Sequence, residues 1–204
     1  MQERKLMELA EAAGTIAIVG HVRPDGDCVG SCLAVCNYIT EQYPEKMVDV
    51  YLETPPVKFS YLKQFERISS DSNTGKQYEL CICLDSGDRE RLGKNVVYLD
   101  TAKTSICIDH HITNQGYGAA NFVKADASAT CELLYDFLDE EKLSKEVAEC
   151  IYTGILHDTN VFKNSNTTER TMQVAGAMMA KGINFSRIID ESFYKKTYVQ
   201  NQIM

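Results

Sequence analysis

No apolar stretch in this sequence approaches the roughly 20 residues needed to cross a bilayer. The N-terminal Met1-Gln2-Glu3-Arg4-Lys5 leads into an amphipathic segment, not a secretory signal core. No membrane partner is therefore expected, and the expected location is the cytoplasm. An excess of positive charge is missing too. The 21 basic residues face 29 acidic ones, a formal charge of −8, which excludes the basic surface needed to track long duplex nucleic acid. A small anionic substrate remains compatible with that balance if bound cations supply local positive charge. Eight cysteines occur but no Cys-x-x-Cys pair, so the usual zinc-thiolate spacing is absent. Cys28, Cys32 and Cys36 recur every four residues, and Cys81 and Cys83 are two apart. They share one helix face and one strand face, as reduced and buried small hydrophobes do. Internal repeats and low-complexity tracts are also missing.

What is present is enough for one sizeable core: 204 residues, 44% of them hydrophobic. Leu6, Leu9, Ala10 and Ala13 predict a short first helix. Thr15 to Gly20, Met47 to Leu52, Leu80 to Leu84 and Ser105 to Ile108 predict strands, the last two continuously apolar as in a parallel strand covered on both faces. Ser31 to Ile39 predicts a buried helix ending before Pro44. Val57 to Phe65 carries no clear pattern, and Ser69 to Gly75 is a loop by composition. Helices are predicted over Ser128 to Leu138, Ser144 to Leu156, Thr168 to Lys181 and Phe185 to Phe193, with Asn166 and Glu169 as a start signal and Gly182 as a stop. The expected fold is a Rossmann-like parallel α/β sheet flanked by helices, with a helical C-terminal portion.

The chemistry gathers at the ends of these elements. His21-Val22-Arg23-Pro24-Asp25-Gly26-Asp27 follows the first strand, Asp85 follows Leu80 to Leu84, and Asp109-His110-His111 follows Ser105 to Ile108. Asp158 lies in Gly154-Ile155-Leu156-His157-Asp158-Thr159, and all four histidines fall within these clusters. Open α/β sheets bind ligands beyond the carboxyl ends of their strands. Four carboxylates gathered there, Asp25, Asp27, Asp85 and Asp158, would repel severely at low dielectric, and two divalent cations would cancel that repulsion. Mixed carboxylate and imidazole ligation favours Mn²⁺, with Mg²⁺, Co²⁺ or Fe²⁺ as alternatives and Zn²⁺ less natural. Two such ions roughly 3.5–4 Å apart clamp a phosphoryl oxygen and activate water. For a single arginine in a polar loop, such as Arg23, phosphate binding and simple solvation are equally compatible with the sequence.

On these motifs the chain resembles the DHH phosphoesterase family, in the branch of bacterial oligoribonucleases and 3′-phosphoadenosine-5′-phosphate phosphatases. The family takes its name from Asp109-His110-His111. Its first motif looks like His21 to Asp27 with Gly30-Ser31, its second like Asp85-Ser86-Gly87-Asp88, and its fourth like Gly154 to Thr159. The resemblance implies that His21 and Asp25 hold one Mn²⁺, that Asp27 and His110 hold the other, that Asp85 bridges them and that Asp158 completes the cluster. It further implies that His111 contacts phosphate, with Asp109 supporting its neighbours, and that the substrate is a short RNA or a nucleotide; a homodimer is compatible. Two departures stand out. Asn160 occupies a position where the family commonly has glycine, and no glycine-rich, His-containing DHH-associated motif occurs before Met204. The resemblance thus implies a metal-binding phosphoesterase domain over residues 1–190, with 191–204 beginning a linker to an absent C-terminal domain.

The implied function is Mn²⁺-dependent hydrolysis of short oligoribonucleotides or of 3′-phosphoadenosine-5′-phosphate. A cyclic dinucleotide phosphodiesterase and a manganese pyrophosphatase are alternatives within the enzyme class. The non-enzyme alternative is a metal-loaded nucleotide-binding module that is inactive without its second domain.

Overall fold

The computed structural model describes residues 3–195. Six strands, β1 (Thr15–Val19), β2 (Met47–Tyr51), β3 (Ile68–Ser69), β4 (Leu80–Leu84), β5 (Thr104–Asp109) and β6 (Ala120–Val123), form one sheet in the order β3-β2-β1-β4-β5-β6. Every pairing is parallel. Strand alternation sends Ile16, Ile18, Val50, Ile82 and Ile108 into the larger core, and Ala17, Val19, Tyr51, Cys81 and Cys83 into a smaller one on the other face. With both faces covered, β4 is buried at all five positions, which is why it reads as an unbroken apolar run.

The larger core is roofed by α1 (Glu3–Ala12), α2 (Gly26–Gln42), α4 (Thr130–Phe137), α5 (Lys145–Asp158) and α6 (Glu169–Ala180). The opposite face has a thinner cover that includes α3 (Val96–Thr101), where Tyr98 stacks on Tyr51 at a centroid distance of 4.0 Å. Because β2 and β4 lie on either side of β1, the chain reverses its direction of travel between β1 and β4. A crevice opens at the carboxyl ends of those two strands.

Several boundaries differ from the sequence reading. Helix α2 starts at Gly26, not near Ser31, because the Asp25 carboxylate accepts the N–H groups of Asp27 and Cys28 at 3.1 Å. Thr168, not Asn166, caps α6, through a reciprocal box with Thr171. Asn166 instead donates its side-chain N–H to the carbonyls of Ser128 and Asp158. The pattern-free Val57 to Phe65 contains a 3₁₀ turn at Val57–Phe59 and ends at the start of a second, Phe65–Arg67. Gly182 ends the α6 region with φ +80°, as expected of a stop. After α7 (Phe185–Ile188), a π-helical turn at Ile189–Tyr194 carries Ser192 into the domain, where its hydroxyl meets His157 Nε2 at 3.1 Å. Of the stretch 191–204 read as the start of a linker, residues 196–204 lie outside the described residues.

Candidate metal centre

His21 leaves the end of β1 with its Nδ1 at 2.8 Å from the Val22 carbonyl. A carbonyl only accepts, so Nδ1 bears the proton and Nε2 turns toward Asp25 Oδ1 at 3.7 Å and Asp85 Oδ2 at 3.5 Å. His110, past the end of β5, repeats the device. Its Nδ1 lies 3.3 Å from the Ala127 carbonyl, and its Nε2 faces Asp158 Oδ2 at 3.1 Å, Asp85 Oδ1 at 3.6 Å and Asp27 Oδ2 at 3.9 Å. Orientation of a ring through its second nitrogen is the arrangement that metal-binding histidines require.

The carboxylates are fixed just as locally. Asp85 is the first residue past β4, at φ +54°, a left-handed backbone that costs about 1–2 kcal/mol for a side-chain-bearing residue. Its N–H donates to the Ile108 carbonyl at 3.1 Å, and its Oδ1 accepts the Thr130 hydroxyl at 3.0 Å. Asp27 is fully buried, and its two oxygens accept the N–H groups of Thr130 at 2.6 Å and Cys131 at 2.9 Å. Those amides open α4, so a motif residue on α2 also satisfies the orphan donors of another helix. Close approach of α2, α4 and α5 depends on Gly154, where an added Cβ would lie 2.2 Å from Cys131 Sγ and 2.5 Å from Asp27 Oδ1.

Asp158 ends α5 and precedes three consecutive left-handed residues, Asn160 (φ 50°), Val161 (φ 59°) and Phe162 (φ 61°). Asparagine in place of glycine therefore keeps the left-handed turn. β-branched Val161 pays the largest steric cost there. The turn is held by the Phe162 N–H donating to Thr159 Oγ1 at 3.0 Å, and by Asn164 donating to the Asp158 carbonyl at 3.1 Å.

At the mouth, His111 Nδ1 donates to Asp109 Oδ1 at 2.7 Å, while Asp109 Oδ2 accepts from Asn114 Nδ2 at 2.7 Å. Asn114 also donates to the Ser86 carbonyl at 3.1 Å. Asp109 is buried and its hydrogen bonding lies outside the carboxylate cluster, so it aims His111 and leaves its Nε2 free.

Charge in the cluster is unbalanced without a cation. Burial pushes the Asp27 carboxyl well above its ordinary range, and the charges of Asp85 and Asp158 add to the shift. Asp158 is raised by the same causes, burial first and then Asp85. Burial opposes protonation of His110, but contact with Asp158 and the charges of Asp27 and Asp85 outweigh it and push the imidazole up to about 10. His21 is raised in the same way, its burial outweighed by Asp25 and Asp85. Asp25 goes the other way, to about 2, because His21 and the Cys28 N–H overcome its own burial. The donor set fits divalent ions: Asp85, His110 and His111 form one group with ligand atoms within 4.8 Å of one another, and Asp27, His110 and Asp158 form another.

Two residues beside the assigned ligands take up distinct positions. His157 does not join the other three histidines. Its ring packs edge-on against Phe59 at 5.0 Å and against Gly26, where a Cβ would fall 2.3 Å from the imidazole. Burial and the nearby Lys58 charge lower His157 to about 4, so it is a neutral packing ring. Cys28 is reduced and buried, as its spacing with Cys32 and Cys36 led us to expect, and its thiol also forms a third group with His21 and Asp85, again within 4.8 Å. Its position one residue after Asp27, on the first turn of α2, was the available signal. Arg23 is exposed at φ +54° and its N–H donates to the Glu53 carboxylate. Its guanidinium has no ion-pair partner among the described residues.

A parallel sheet with imidazoles and aspartates converging at its carboxyl edge defines the class: an α/β phosphoesterase fold with clusters of metal-ligating side chains. The chain belongs to the DHH family, since the family model described as "DHH family, N-terminal domain" matches residues 15–155. Within it, the chain is related to the oligoribonuclease and PAP-phosphatase branch. It is 32% identical to the bifunctional oligoribonuclease and PAP phosphatase NrnA of Bacillus subtilis, over 91% of this chain and 59% of that protein. Against the probable counterpart from Streptococcus mutans it is also 32% identical, over 97% of this chain and 63% of that protein. The chain therefore spans about three fifths of the length of these relatives. Among solved structures, an exopolyphosphatase-related protein from Bacteroides fragilis superposes with a TM-score of 0.90 at 23% identity, covering 99% of this chain and 63% of that one. Family and motifs together support a hydrolytic, metal-dependent function. No described helix is long and apolar enough to cross a membrane.

Proposed function

We propose that this chain is the metal-binding part of a Mn²⁺-dependent phosphoesterase that releases mononucleotides from short oligoribonucleotides and from 3′-phosphoadenosine-5′-phosphate. The observation that carries the reading is the convergence of His21, Asp85, His110, Asp27 and Asp158 on one crevice, with His111 at its mouth. The curated relatives named as oligoribonucleases and PAP phosphatases support the substrate class, and a RecJ exonuclease of the same fold described as bound to manganese supports the metal.

In this reading His21 and Asp25 hold one cation, Asp27, His110 and Asp158 the other, and Asp85 lies between them. When bound, the ions supply Lewis acidity toward the phosphoryl oxygens and make water easier to deprotonate. The chain's own residues do the rest. His111 is held by Asp109, whose hydrogen bond raises its pKa, and its Nε2 is the atom that would donate to a phosphate oxygen or pass a proton to the leaving oxygen. Arg23, unpaired at the rim, contacts a substrate phosphate. Asp27 and Asp85 keep their geometry through the Thr130 and Cys131 donors and need not reorganise as charge develops.

The test is hydrolysis of adenosine 3′,5′-bisphosphate and of a 5′-phosphorylated diadenylate with and without Mn²⁺, beside inorganic pyrophosphate. Metal-dependent AMP release without pyrophosphate turnover is expected. Pyrophosphate turnover alone would overturn the nucleotide assignment, and metal binding without any turnover would leave a nucleotide-binding module.

A further inference from the structure

The two halves of the cluster do not offer the same chemistry. Asp27, His110 and Asp158 supply oxygen and nitrogen only, whereas the group of His21, Cys28 and Asp85 adds a sulfur. All three of the latter residues are buried. Room for that sulfur is built into the chain: Gly20 ends the β1 run, and a Cβ there would lie 2.4 Å from Cys28 Sγ. Absence of a side chain at Gly20 lets the first turn of α2 lay the thiol against the strand end, where it faces the His21 carbonyl at 3.9 Å.

We infer that Cys28 is a ligand, giving this chain a His21–Cys28–Asp85 position that takes Zn²⁺, Cd²⁺ or Co²⁺ ahead of Mn²⁺, beside an all-hard position at His110. The inference rests on the reading of His21 and Asp85 as cation ligands. Tetrahedral bonds of about 2.3 Å to sulfur and about 2.1 Å to nitrogen or oxygen put donors roughly 3.6 Å apart. Side-chain shifts of about an ångström bring a group whose donor atoms lie within 4.8 Å of one another to that spacing. Asp25, on the rim beside His21, leaves a fourth position that a carboxylate or a ligand oxygen can fill. Sulfur favours zinc-like ions and carboxylate suits manganese, while imidazole is present in both positions. On binding, the Cys28 S–H bond breaks, a metal–sulfur bond forms and the proton leaves to solvent, with no change of oxidation state.

The test is titration of the metal-free chain with Cd²⁺ and Co²⁺, followed through thiolate-to-metal charge-transfer absorption, with X-ray absorption of the Zn²⁺-loaded protein. Expected are a band saturating at about one equivalent and one sulfur at about 2.3 Å from zinc. Cys28→Ser is expected to remove the band and weaken Cd²⁺ binding by about tenfold or more, while Mn²⁺ affinity changes by less than about threefold. Cys32→Ser, one helical turn on, is expected to keep the band. Cation binding without a sulfur signal, or a band that survives in Cys28→Ser, overturns the assignment and leaves the cluster reading standing. No cation binding at all overturns both. Should Cys28→Ser not fold, the sulfur count in the wild-type zinc spectrum decides, and zero sulfur overturns the inference.

Discussion

The two halves of the cluster share Asp85 but differ in how the fold holds them. The floor of the site is His21, Asp85 and Asp27, whose side chains are 3%, 2% and 0% exposed, whereas the outer residues His110, Asp158, His111 and Asp25 are 15%, 21%, 32% and 58% exposed. Inner residues are set by strand ends and by the junction of α2, α4 and α5, so their position is part of core packing. Outer residues border a strained turn and a two-residue extension of β5, and they are the more exposed. Geometry is guaranteed by the core at one end of the site, and access is provided at the other.

The largest effect expected from breaking this arrangement comes from Asp85, the shared residue. Asp85→Asn removes the charge common to both halves, and hydrolysis should fall by about 10³-fold or more, the scale of several kcal/mol of lost transition-state charge stabilisation. Steady-state AMP release measures it, and a residual rate within tenfold of wild type would remove Asp85 from its bridging role. Asp109→Asn perturbs only the outer half. It should lower kcat by roughly 10–100-fold, the usual cost of losing an orienting partner. Because Asp109 raises the His111 pKa, the alkaline limb of the rate profile should also move to lower pH. An unshifted limb would mean that His111 holds no essential proton.

Packing sharpens the comparison next. Gly154→Ala forces a Cβ against Cys131 and Asp27 and should cost about 1–3 kcal/mol by overpacking. Gly176→Ala on α6 meets nothing within 4 Å and should be neutral or stabilise by up to about 1 kcal/mol. Urea unfolding compares the two, and equal effects would mean that the α2–α4–α5 junction is looser than described.

The smallest effect is a pH dependence of the metal-free protein. His110 is raised to about 10, so its stabilisation is fully present below its unfolded value of about 6.5 and is lost as pH rises through about 10. Asp27 and Asp158, also raised, favour the folded state in the same direction, toward lower pH. The melting temperature without metal should therefore fall across that window, and saturating Mn²⁺ should remove much of the fall by binding the native state. A flat metal-free profile would contradict the charge imbalance.

Much of this was legible in the residues, for identifiable reasons. β1, β4 and β5 announce themselves as apolar runs because a doubly covered parallel strand must bury both faces, while β2 reads by alternation around Asp49. β3 has only two residues, and β6 alternates around an exposed Asn121, so neither carries a run long enough to read. Three of the four motifs were visible because they follow strands, and the fourth because it closes a helix. Their support was not: that Thr130 and Cys131 N–H groups hold Asp27 is a contact across more than a hundred residues, and only the packing of α4 on α2 creates it. His157 and Asp158 are neighbours on α5 that share no face: Asp158 reaches the crevice while His157 turns to Phe59. The helical spacing of Cys28 with Cys32 and Cys36 gave their burial in the reduced form, but it carries no information on the approach of Cys28 to His21 and Asp85.

The central claim is that one bridging aspartate joins two cation positions of unequal character. Equilibrium binding of Mn²⁺ to the metal-free chain, counted by the magnetic resonance signal of the free ion, tests it most directly. Two ions per wild-type chain, one tight ion in Asp158→Ala and neither held tightly in Asp85→Asn are the predicted result. A stoichiometry of zero for the wild-type chain, or two undiminished ions in Asp85→Asn, would contradict the account.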